Sequence, residues 1–126
     1  MQRLTTPEAA NWILRIAVAG EFIGHGVFAL GQKADWVKFF VVFGIGPDLA
    51  NQLMPMIGSL DIVLGLLVLV YPVRPILLWM AFWGFMTALI RPLSGAPVWD
   101  FVERWANWGA PLALWVITSK NFRKNV

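Results

Sequence analysis

Cysteine is absent from this 126-residue chain, and histidine and tyrosine occur once each. Disulfides, thiolate catalysis, iron–sulfur clusters and Cys-ligated zinc are thereby excluded. Charge is scarce as well. Asp, Glu, Lys and Arg together make up 13% of the residues, against about 25% in an ordinary soluble domain. A domain of this size folded in water has too much surface to cover with so few charges. The formal charge of +3 comes from ten Lys and Arg scattered along the chain. They form no basic patch with interleaved aromatics, so nucleic acid is not an expected partner. A Gly-rich phosphate loop, a nucleophile elbow and a Ser/His/Asp order are also missing.

What is present is apolar. Hydrophobic residues account for 59% of the chain, and eight are Trp, a residue enriched where membranes meet water. One domain is expected, an all-α integral membrane four-helix bundle with the lipid bilayer as its solvent. A crossing helix needs about 20 mostly apolar residues, and the expected spans are 11–30, 53–71, 75–91 and 99–119. Thr5-Thr6-Pro7-Glu8 opens the first with a Thr cap, an early Pro and an acid in the first turn. Ala17-Val18-Ala19 has the form of a signal cleavage site, but Arg15 interrupts the apolar core such a signal requires, so the segment is expected to remain as a span. Between the first two spans, Asp35 to Phe43 is aromatic, apolar and too short to cross. It predicts an amphipathic interfacial or re-entrant segment, ended by Gly44-Ile45-Gly46-Pro47. Arg3, Arg74, Lys120, Arg123 and Lys124 fall on the side of the termini, and Lys33, Lys38, Arg91 and Arg104 on the other. That excess of five over four places both termini in the cytoplasm.

Ionisable residues inside apolar spans are costly, about 2.5–3.5 kcal/mol each at the bilayer centre. They must face inward, find partners or be neutral. Counting along the helices puts Glu21, His25, Asp61, Arg91, Glu103 and Arg104 in the half of the membrane opposite the termini, with Arg15 closer to the terminal side. Glu21, His25 and Asp61 are the candidates for ligand binding or proton handling. Arg15, Arg91, Glu103 and Arg104 are supporting charges, with Arg91 or Arg104 available to neutralise Asp61 or Glu103 and snorkelling available near the boundary. The alternative for the whole set is an ion-pair network that fixes helix register. Gly20 and Gly24 form a GxxxG beside the polar face, where another backbone could approach. Trp79, Phe82, Trp83 and Met86 recur at helical spacing, as a packed or lipid-facing stripe would. Trp99, Trp105 and Trp108 read as interface anchors. A lone His with two acids is a poor metal set, and no metal is expected.

Several of these residues carry a family resemblance. Arg15-Ile16, Gly20, Phe22, His25-Gly26 and then Gln32-Lys33 resemble the first-span pattern of the DoxX-like proteins, with the Lys slightly displaced. Asp61-Ile62-Val63-Leu64-Gly65-Leu66-Leu67 is similar to the family's second span, with Asp where Glu is usual. Glu103 followed by Asn107 and an apolar run resembles the acid that opens its fourth. The similarity covers nearly the whole chain. It implies a four-helix protein of a bacterial or archaeal inner membrane, in a family where some members are subunits of quinone-linked sulfur oxidation.

Two functions follow as expectations. One is a membrane subunit of quinone-linked redox chemistry, with a quinone-like ligand or proton site at Glu21, His25 and Asp61. The other is a non-enzymatic accessory subunit of a respiratory or photosynthetic complex, packing against other membrane subunits and holding a porphyrin or chlorin pigment through His25. Whether the chain is itself catalytic stays open. A solute carrier fits less well, since inverted repeats are missing.

Overall fold

The computed structural model describes residues 3–119, and all regular structure among them is helical. Helix α1 (Thr6–Leu30) starts as predicted. Thr5 Oγ1 accepts from the Glu8 amide at 3.4 Å, and Glu8 Oε2 accepts from the Thr5 amide at 2.8 Å, closing a capping box. A 3₁₀ turn at Ala34–Trp36 leads into α2 (Val37–Val41). Gly44 ends this segment at φ +77, where a side chain would be strained, and the Ile45 amide returns to the Phe40 carbonyl at 3.1 Å.

Helix α3 (Pro47–Val70) begins at Pro47 rather than at Leu53, because Gly46-Pro47 also starts a helix, with Gly46 as its cap and Pro in its first turn. Helices α4 (Arg74–Leu93), α5 (Val98–Val102) and α6 (Ala106–Ile117) complete the order. Among the described residues only α1, α3 and α4, with 25, 24 and 20 residues, are long and apolar enough to cross a membrane. At 1.5 Å per residue they measure roughly 37, 36 and 30 Å, against about 30 Å of hydrocarbon. Their outward faces are apolar, with Ile13, Met56 and Val63 exposed by 66%, 67% and 59%, while Asp61 is only 4% exposed. This inverts the soluble pattern and marks a multi-pass, membrane-embedded protein.

The expected fourth span, 99–119, is not one helix. Residues 103–105 form a turn between α5 and α6. Arg104 supplies the reason. Its guanidinium donates to the Asp100 carbonyl at 2.8 Å, the acceptor its own amide would use in an α-helix, and that amide bonds Phe101 at 3.1 Å instead. The twelve residues of α6 reach only about 18 Å.

Helices α1 and α3 pack antiparallel along most of their length, α4 and α6 form a second antiparallel pair, and α1 touches α6 to join the pairs. The α1–α3 seam is made by glycines, but not by those the GxxxG suggests. A Cβ added to Gly20 or Gly24 would meet nothing within 4 Å. A Cβ on Gly26 would lie 2.6 Å from the Gly58 carbonyl oxygen, and one on Gly58 would lie 2.6 Å from that of Gly26.

The internal prolines also serve packing. Pro55 has no amide hydrogen for the Asn51 carbonyl one turn back, and Gln32 Nε2 donates to that oxygen at 2.7 Å. Pro111 likewise leaves the Asn107 carbonyl unclaimed, and that oxygen lies where a Cβ on Gly84 would have to be. Val18, Phe22, Leu64, Val68, Leu77, Met80 and Leu114 make the core, drawn from all four longer helices and set towards the end where α1 starts and α3 stops. The opposite end is less filled, and the polar residues lie there. Lys120, Arg123 and Lys124, which enter the orientation count, lie outside the described residues.

Candidate functional site

The antiparallel register of α1 and α3 brings His25 level with Asp61, and Glu21 one turn deeper. Glu21, His25 and Asp61 then line one crevice with Phe22, Trp83, Gly84 and Thr87, too tight to hold a water molecule. The three residues singled out from the sequence are thus brought together. Among the described residues they do not form a metal-ligand group, and no hydrogen bond joins Glu21 to His25.

The crevice opens into a larger cavity of about 400 Å³ that shares His25, Asp61, Trp83 and Thr87 as lining. Apart from Arg91, the rest of its wall is apolar and rich in aromatic rings. Trp36, Phe39, Phe40 and Phe43 come from the α2 segment, Met54 and Ile57 from α3, and Phe82, Met86 and Ile90 from α4. The segment 35–43, expected to lie in the membrane interface, is therefore also a wall of the cavity. The His25 ring packs on Trp36 at 5.5 Å between centroids with the planes tilted by 49°.

Trp83 is a site residue that sequence reasoning misses. Spacing groups it with a packed or lipid-facing stripe, yet it lines both the crevice and the cavity together with Asp61. The clue in the sequence is its position: Trp83, Thr87 and Arg91 fall at i, i+4 and i+8, one row on α4. Trp79 stacks on Trp83 at 5.7 Å and 17° between planes, bracing that indole.

The supporting charges separate into three kinds. Arg15 is not part of the site. It reaches across to the end of α3, where Nε donates to the Val68 carbonyl at 3.0 Å and a terminal nitrogen donates to Leu69 and, at 3.0 Å, to Val70. Its guanidinium also lies 3.9 Å from the Trp12 ring centroid. Glu103 and Arg104 pair with each other at 2.6 Å, the only ion pair among the described residues. Arg91 neutralises neither acid by direct contact; it lines the cavity with its guanidinium 4.9 Å from the centroid of Phe39. The anchor reading suits Trp99 and Trp105, exposed by 71% and 47%. Trp108 departs from it, with its Nε1 buried and unbonded and its ring edge against Phe85 at 6.2 Å.

Chemically, the arrangement offers an aromatic slot for a flat apolar molecule, an imidazole and two carboxyls at one end, and a guanidinium on the row above. Compared with protein-family models, with curated proteins and with solved structures, the chain matches none.

Proposed function

We propose that this chain is a DoxX-like integral membrane subunit of a bacterial or archaeal inner membrane, associated with quinone-linked redox chemistry, and that its cavity takes a quinone-like ligand. In this reading the protein is a four-helix membrane bundle with both termini cytoplasmic, α5 and α6 together completing the fourth crossing, and other membrane subunits as its partners. The observation that carries it is the cavity itself. At about 400 Å³ it falls within the usual range for small-molecule sites, and it has their construction of apolar and aromatic walls with a few converging polar groups.

When bound, a quinone-like ligand supplies two-electron redox capacity. The chain supplies binding and proton handling. Trp36, Phe39 and Trp83 offer aromatic surface to a flat ring. The His25 imidazole has an N–H to donate to a carbonyl oxygen. Asp61 and Glu21, in the adjoining crevice, stand beside it as the groups able to pass a proton.

Protein purified in mild detergent is expected to carry quinone, detected by mass spectrometry of the extracted lipids. His25→Ala removes a donor at the ligand oxygen and is expected to weaken retention about tenfold. Absence of quinone, with any associated quinone reduction indifferent to His25→Ala, overturns this function.

A further inference from the structure

Arg91 stands at the same cavity but has no part in the quinone binding proposed for His25 and Asp61. Its Nε is buried and has no hydrogen-bond partner, and no acid lies within ion-pair distance of its guanidinium, because Glu103 is taken by Arg104. Asp100 and Glu103 influence it only at longer range, with Arg104 opposing them. A guanidinium is charged at every accessible pH. Beside apolar walls its field is weakly screened, so a negative oxygen placed there gains far more than it would in water. Trp83, Thr87 and Arg91 share one row of α4, which sets Arg91 roughly 12 Å along the helix from Trp83. The cavity therefore has two polar positions, His25 with Asp61 and, further along its wall, Arg91, whose charge still reaches His25.

We propose that Arg91 binds an anionic oxygen of the ligand, so that the cavity selects a flat or chain-like apolar molecule carrying one negative charge on an oxygen other than the one that meets His25. This rests on the cavity being the ligand site and narrows the class of ligand it takes. An ionised hydroxyquinone and a fatty carboxylate share this chemistry and differ in that only the quinone presents a further carbonyl acceptor to His25.

The test uses the whole protein in detergent and three probes: 2-hydroxy-1,4-naphthoquinone, which is ionised at neutral pH, its neutral 2-methoxy analogue, and laurate. Quenching of Trp fluorescence or isothermal calorimetry reads the binding. The hydroxy compound is expected to bind at least about tenfold more tightly than the methoxy compound, the ratio set by a charge-assisted bond. Arg91→Gln is expected to bring that ratio below about threefold while leaving the methoxy affinity nearly unchanged, and Arg91→Lys to restore part of it. Equal affinities in the wild type, or an equal loss of both ligands in Arg91→Gln, overturns the proposal. The wild-type comparison decides even where a variant fails to fold. If only laurate binds and Arg91→Gln releases it, the Arg91 assignment stands and the quinone function fails. If the methoxy compound binds and the hydroxy one is not preferred, the Arg91 assignment fails and the quinone function stands.

Discussion

Gly58→Leu is expected to separate α1 from α3 and to prevent recovery of a monodisperse protein from detergent. The first side-chain atom alone would lie 2.6 Å from the Gly26 carbonyl oxygen and 2.9 Å from the Leu30 amide nitrogen. Both are backbone atoms of a helix and cannot rotate away. Overpacking of this kind costs about 1–3 kcal/mol when neighbouring side chains can yield; here the whole helix must move. In lipid the loss is not offset by hydrophobic attraction between helices, since the hydrocarbon tails are as apolar as leucine and close packing is itself the main attraction. Gly20→Leu and Gly24→Leu are the controls. Nothing stands within 4 Å of a Cβ at either position, so both proteins are expected to elute and melt like the wild type. If either control is as damaging as Gly58→Leu, the α1–α3 seam does not run through Gly26 and Gly58.

Arg15→Leu is expected to be the most destabilising single change among the charged residues. Helix α3 ends at Tyr71 in extended conformation, without the glycine cap that would turn its last amides back on its carbonyls. Arg15 takes over that task by donating to the carbonyls of Val68, Leu69 and Val70. Its positive charge also meets the negative end of the helix dipole. Charged hydrogen bonds contribute about 1.5–3 kcal/mol each, and carbonyls left bare in lipid add a desolvation cost. A net loss on the order of 3 kcal/mol follows, which for a chain of this size lowers Tm by about 10 °C or more. Thermal unfolding followed by Trp fluorescence reads it. Arg15→Lys keeps the charge but loses the planar fork that spans several carbonyls, so it is expected to recover less than half of the difference. An Arg15→Leu protein that melts with the wild type would remove Arg15 from the end of α3.

Both residues stand where sequence pattern and structure part. Gly20 and Gly24 satisfy the familiar spacing, yet Gly26, Gly58 and Gly65 make the seam. A spacing motif says that a backbone can be approached, and only the rotation of each helix about its axis says which backbone is. Arg15 reads as an intramembrane charge, but its partners lie more than fifty residues away in the chain and are main-chain atoms, which leave no trace in residue type.

From the amino-acid sequence alone came the properties that depend on composition and on neighbours within a turn or two. The apolar excess, the Thr5–Glu8 start of α1 and its end at Leu30, the extent of α4 to within a turn, and the gathering of Glu21, His25 and Asp61 in one half of the membrane all follow from counting along the chain. Rise per residue is constant in a helix, so depth is legible without tertiary contacts. The tertiary structure decided what depends on azimuth and on competition for single hydrogen bonds. It set Trp83 in the crevice with Asp61, made the α2 segment a cavity wall, left Arg91 without an acid in contact, and broke the fourth expected span where the Arg104 side chain takes the Asp100 carbonyl from its own backbone.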